Sequence, residues 1–196
     1  MRDLPDSSSI PTALQRVALT LRTIGNISLW VQGVLGVIAT FSLVFAIFSS
    51  NLARQSPQAN NSGTGAGTGA GVFFALCGLV TLGIGAYFAF RYTSIAKQLL
   101  GSSTAARPSK ASTLQTIRLG LIVNMVGMAL TIVGAFAIVG STLAKAQFQG
   151  QIALSTDPSR FVQSADLWAI QANLNAIAAH FVGIAASIWL FDRVSR

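Results

Sequence analysis

The side chains of this sequence that could do chemistry lie in stretches that carry no charge. His180 is the sole histidine, and Gln171, Asn173 and Asn175 share with it the uncharged stretch 167–191. Gln32 and Asn124 occupy two further uncharged stretches, 23–53 and 119–144, and Asp166 stands at the edge of the last one. A helix brings positions seven apart into line, so Asp166, Asn173 and His180 fall on one face, with Gln171 and Asn175 on the opposite side. Two chemistries fit this set. In the first, the amides and the imidazole cross-link helices through hydrogen bonds worth on average about 0.6 kcal/mol each. In the second, Asp166, Asn173 and His180 form a polar path or cation site, with Gln32 and Asn124 beside them. Imidazole and carboxylate suit iron, manganese or zinc, which makes His180 and Asp166 the candidate metal ligands. No CxxC, HxxxH or paired carboxylate occurs within these stretches, as a tight site would require. Gln171 and Asn175 are read as helix-packing amides.

The elements that must position these groups follow from the charge pattern. The stretches 23–53, 55–90, 119–144 and 167–191 contain no Asp, Glu, Lys or Arg. Each holds a run of about 20 predominantly apolar residues, the length a helix needs to cross a bilayer. Charged residues make up 9% of the chain, against about 25% in an ordinary soluble protein. The expected fold is all-α: a polytopic membrane protein with four transmembrane helices near 25–49, 71–92, 117–143 and 165–191. A basic, amphipathic arm over 1–22 precedes the membrane domain of 23–196. Over residues 11–24, Leu14, Val17, Leu21 and Ile24 form the apolar stripe of an amphipathic helix entered through Pro11, with Arg16 and Arg22 off it. That pattern describes either a short helix lying on the membrane surface or an extension of the first membrane helix.

Basic residues set the orientation. Arg2, Arg16, Arg22, Arg91, Lys97, Arg107, Lys110, Arg118, Arg193 and Arg196 fall on one side, against Arg54, Lys145 and Arg160 on the other. The positive-inside rule then predicts an N-in, C-in topology. The segment 60–71, NNSGTGAGTGAG, reads as a flexible outer loop. Ser112 and Gln115 have the spacing of a capping box for the third helix, and Asp157-Pro158 predicts a fourth helix beginning near 158. Small residues recur at steps of three and four in every span, most regularly as Ala165, Ala169, Ala172, Ala176, Ala179, Gly183 and Ala186. Such stripes let backbones approach closely, which predicts a compact left-handed bundle. Trp30, Trp168 and Trp189 lie near span ends, where interfacial aromatics belong.

Several classes are excluded on chemistry. The net charge of +8 could suggest nucleic acid, but the bases flank the membrane spans, where topology explains them. There is no nucleophile–base pair and no P-loop, so neither an enzyme nor a cofactor is expected. Cys77 is single and lies within an apolar span, where a small packing residue is expected.

Two stretches carry a resemblance. RVALTLRTIGNISLWVQGVLGVI (16–38) joins the basic arm to the first span through a Gly-x-x-Ser-x-Trp-x-Gln pattern. VQSADLWAIQANLNAIAAHFVGIAASIWLF (162–191) holds a Gln-Ala-Asn-x-Asn run and an Ala-His-Phe-Val-Gly run. Both resemble a small family of cyanobacterial and plastid membrane proteins. Its plant members lie in the chloroplast inner envelope and have been described both as a translocon (Tic) subunit and as an iron permease. The resemblance implies a four-helix fold and a transport protein, a permease for iron or another divalent metal ion. The alternative is a non-transporting membrane subunit of a protein translocation or complex-assembly machinery. Without a plant-type transit peptide, the chain is expected to be a cyanobacterial member in the plasma (inner) or thylakoid membrane. Its expected partners are the lipid bilayer, a transported metal ion, and further copies of itself or a membrane complex.

Overall fold

A computed structural model describes residues 12–54, 66–101, 107–148 and 161–195. They form four α-helices: α1 (Thr12–Arg54), α2 (Ala66–Leu100), α3 (Lys110–Phe148) and α4 (Ser164–Ser195). All four are long and apolar enough to cross a membrane. The shortest has 32 residues, about 48 Å at 1.5 Å per residue, so every helix projects beyond a hydrocarbon core of about 30 Å. Helices are the expected answer to such sequence, because a lipid-facing backbone must satisfy its own hydrogen bonds.

The helices form a square in chain order. Each packs on its sequence neighbours, α4 closes against α1, and α2 approaches α4 across the diagonal. Ala18 and Leu21 of α1 meet Tyr92, Ile95 and Leu99 of α2, Ile117 of α3, and Leu190 and Val194 of α4 in one cluster. The start of α1 and the end of α4 therefore share one end of the bundle with the α2–α3 connection. We call this the near end. Leu14, Val17 and Ile24 pack on the same cluster. The amphipathic stripe thus faces the bundle as the first turns of α1, unbroken from the span that follows. Of the two alternatives for this arm, the extension is the one found, because the stripe covers the near-end core instead of lipid.

Three helix starts differ from expectation. The cap of α3 is Ser109, three residues before Ser112. Its hydroxyl accepts the Ser112 N–H at 3.1 Å, and its carbonyl accepts the Thr113 N–H at 3.0 Å. Ser112 instead lies inside the first turn. Helix α4 starts at Ser164, and residues 161–163 are not helical. Asp157 and Pro158 lie outside the described residues, as does the first half of the expected 60–71 loop; its second half, 66–71, is not loop but the start of α2. The Asp166 carboxylate accepts the Gln163 N–H at 2.9 Å, which closes the N-terminus of α4 in the manner of a capping box.

The small-residue stripes are the contact faces. Every member of the α4 stripe is buried, while Trp30, Val37, Phe41 and Phe136 are among the large apolar side chains turned outward. Several interior glycines make room for a specific side chain. A Cβ on Gly183 or Gly85 would run into the Asn124 amide, and one on Gly78 into Thr131. Gly33 has open space around it. Gly183→Ala is therefore expected to destabilise the bundle by about 1–3 kcal/mol through overpacking. Gly33→Ala should be neutral or stabilise by up to about 1 kcal/mol through helix propensity. Unfolding midpoints of the two variants in detergent check the opposite signs.

Candidate functional site

The centre of the bundle is built around His180, whose side chain is fully buried. Its Nδ1 lies 3.2 Å from Asn124 Oδ1 on α3, and its Nε2 lies 3.2 Å from the Gly78 carbonyl on α2. One ring of α4 thus touches two other helices. Gly127 supplies the space, since a Cβ there would collide with the imidazole and with Thr81. The Asn124 amide is oriented by Nδ2, which donates to the Gly120 carbonyl at 2.9 Å. Its Oδ1 is left to face the histidine as an acceptor. The Gly78 carbonyl is an acceptor too and also receives the Thr81 hydroxyl at 2.8 Å. A neutral imidazole has one N–H, so in either tautomer only one of the two contacts is a hydrogen bond.

The remaining candidates divide by location. Asn173 is buried seven positions from His180 on the same face, about 10 Å away along the axis. Its Nδ2 donates to the Ala169 carbonyl at 2.9 Å, and its Oδ1 is buried without a partner. Gln32 is buried on α1, where its Nε2 donates to Ser28 Oγ at 2.7 Å. Its Oε1 is also unpartnered. The structure therefore brings Asn124 and His180 into contact and aligns Asn173 with them. Among the described residues, these two side-chain carbonyl oxygens are buried without a partner.

Asp166 does not join this group. Both of its oxygens accept from Lys145 Nζ, at 2.9 and 3.0 Å, and it caps α4 as well. Fourteen residues of helix separate it from His180, about 21 Å. The pairing of His180 with Asp166 as ligands of one metal ion is corrected on that distance. Among the described residues, no group of three or more His, Cys, Asp or Glu is placed to hold a metal ion. Gln171 and Asn175 turn away from the centre. Gln171 is exposed and Asn175 half-buried, and Asn175 Nδ2 donates to the Gln171 carbonyl at 3.0 Å. Within the chain they meet no other helix through those bonds.

Sequence reasoning missed two partners. Ser187 extends the line of Asp166, Asn173 and His180 by seven more residues and is buried like them. It lies 3.3 Å from the hydroxyl of Tyr92, the largest of the fully buried side chains. The spacing of seven was a sufficient signal for Ser187. Lys145 was legible as well: it is the first charge after the third uncharged stretch, as Asp166 is the last before the fourth. In antiparallel neighbours these two boundaries coincide. The polar face of α4 is then a buried column, with an ion pair at the far end and a tyrosine at the near end. Its chemistry is hydrogen bonding, proton exchange at one imidazole, and weak ligation by neutral nitrogen and oxygen.

The far-end ion pair yields a direct test. Asp166 is nearly buried and Lys145 partly so, so Lys145→Met leaves a carboxylate without its partner and should cost about 1–3 kcal/mol. Lys145→Met combined with Asp166→Asn should recover most of that loss in the same unfolding assay.

The family described as "Protein of unknown function (DUF3611)" matches residues 11–195. The chain is also 25% identical over 201 residues to Protein TIC 21, chloroplastic, of Arabidopsis thaliana. That alignment covers 96% of this chain and 61% of the Arabidopsis protein, so the chain matches less than two thirds of its relative's length. No solved structure matches the chain. These similarities agree with the resemblance carried by residues 16–38 and 162–191. A four-helix chain with spans long enough for a bilayer, matched over nearly its whole length, belongs to the family described as DUF3611.

Proposed function

We propose that this chain is an integral membrane transport protein whose cargo passes along the polar column of α4. We further propose iron or another divalent metal ion as that cargo. The observation that carries the reading is the burial of His180, Asn124, Asn173 and Gln32 in a bundle whose central stretches hold no charge. Polar groups at membrane depth are expensive and mark pathways. The two unpartnered oxygens, Gln32 Oε1 and Asn173 Oδ1, are acceptors that a passing cation would engage. An imidazole nitrogen with neutral carbonyl oxygens suits borderline divalent metals. Few donors and no carboxylate at the level of His180 favour passage over storage. Four helices enclose a narrow path, which fits a protein working as several copies or within a membrane complex. An N-in, C-in arrangement in a bacterial plasma or thylakoid membrane accords with the basic residues at the near end.

A second reading is a non-transporting membrane subunit of a protein translocation or complex-assembly machinery. Gln171 and Asn175 support it, because they offer amides to a neighbouring helix from the outer face of α4. The similarity to Protein TIC 21 supports it as well.

Uptake of radiolabelled ferrous iron into proteoliposomes, with manganese in parallel, separates the two. Saturable uptake that falls about tenfold or more in His180→Ala is the expected result. A folded protein that takes up no more than empty liposomes would remove the transport reading and leave the second.

A further inference from the structure

A cavity of about 360 Å³ opens between α2 and α3 at the near end of the bundle. Its polar lining comes from Arg91, Ser94 and Gln98 of α2 and from Ser112 and Thr116 of α3. Tyr87 and Phe90 of α2, both more than half exposed, give it an aromatic wall on the side towards the uncharged stretch of that helix. The guanidinium of Arg91 folds back along α2 to donate to the Tyr87 hydroxyl at 3.4 Å, which holds the charge beside the aromatic pair.

Its depth is fixed by the charge pattern. Arg91 ends the uncharged stretch 55–90, and Arg118 precedes the uncharged stretch 119–144. The cavity runs along α2 from Tyr87 to Gln98, about 16 Å, so it reaches from the outer hydrocarbon through the headgroup layer. The surroundings are cationic. The segment 91–118 has five basic residues and no acid, and Asp192, the one described carboxylate at this end, does not line the cavity. Arg107, next in the chain to the cavity-lining Pro108, keeps a buried Nε–H without an acceptor. The positive-inside tendency accounts for the bases, but not for a cavity that adds hydroxyls, an amide and an aromatic wall to one of them.

We propose that this cavity binds an anionic lipid. The phosphate or sulfonate of the headgroup meets Arg91 and the hydroxyls of Ser94 and Ser112, and an acyl chain lies against Tyr87 and Phe90. A free oxyanion has the same headgroup chemistry, but it would make no use of the aromatic wall, which commits the site to lipid.

Native mass spectrometry of the full chain, released from bilayers of phosphatidylglycerol and phosphatidylcholine in equal amounts, tests the site. The chain should retain phosphatidylglycerol in preference to phosphatidylcholine. Arg91→Gln should lower that retention about fivefold or more, the worth of one basic group at the membrane surface. Lys97→Gln, which alters an exposed base that does not line the cavity, should leave it unchanged. Ser112→Leu fills the cavity without changing charge and should lower retention as Arg91→Gln does. It carries the test alone if Arg91→Gln does not fold. Equal losses in Arg91→Gln and Lys97→Gln would overturn the proposal in favour of diffuse attraction by the basic segment. Displacement of the lipid by millimolar inorganic phosphate would overturn it in favour of a free-anion site.

Discussion

A buried imidazole in a bundle without nearby charge must find its partners among amides and backbone carbonyls, and that requirement governs where three of the four helices lie. His180 reaches Asn124 on α3 and Gly78 on α2 from opposite sides of its ring. For both contacts to exist, α2 must cross the diagonal of the square towards α4. Glycines make the approach feasible: Gly127 leaves room for the ring, and Gly85 and Gly183 leave room for the Asn124 amide. In lipid, where apolar surface gives little drive for helix association, such close packing with a few hydrogen bonds is what holds a bundle together.

The rest of the molecule extends this centre towards its two ends. Towards the far end, the column passes Asn173 and finishes in the Lys145–Asp166 pair, which also caps α4. Towards the near end, it passes Ser187 and Tyr92 and meets the apolar cluster completed by Ala18 and Leu21. The first turns of α1 therefore belong to the core. Because the polar side chains of the column bond within the bundle, the oxygens that are buried without a partner among the described residues, Asn173 Oδ1 in the column and Gln32 Oε1 on α1, stand out as groups with capacity to spare. The same set of side chains can serve as structural cross-link and as path. In a thin bundle there is little room for the two to be separate.

Much of this was legible in the sequence, and for identifiable reasons. Four uncharged stretches, three bounded by bases and the fourth by Asp166 and Asp192, specify four membrane helices through length and composition alone. The α4 stripe from Ala165 to Ala186 and the line through Asn173 and His180 follow from helical spacing, and both are buried as that spacing requires. What periodicity cannot supply is the rotation and height of one helix against another. Asp166 was grouped with His180 because they share a face, yet a shared face says nothing about the roughly 21 Å between them. Lys145 claims Asp166 because the far ends of two antiparallel helices coincide. The cap of α3 lies three residues before the expected one for a local reason. Ser112 has the spacing of a cap, but Ser109, directly after Pro108, is where the chain turns into α3.

The central claim is that His180 and Asn124 hold the bundle as a coupled pair. A double-mutant cycle on Asn124→Leu and His180→Leu, read as unfolding free energies in detergent micelles, measures that coupling directly. With the ring proton on Nδ1, facing Asn124 Oδ1, the account predicts an interaction energy of about 0.6–1.7 kcal/mol, the range found for hydrogen bonds between membrane helices. Losses that add within about 0.3 kcal/mol would show the two residues to be independent and would contradict it.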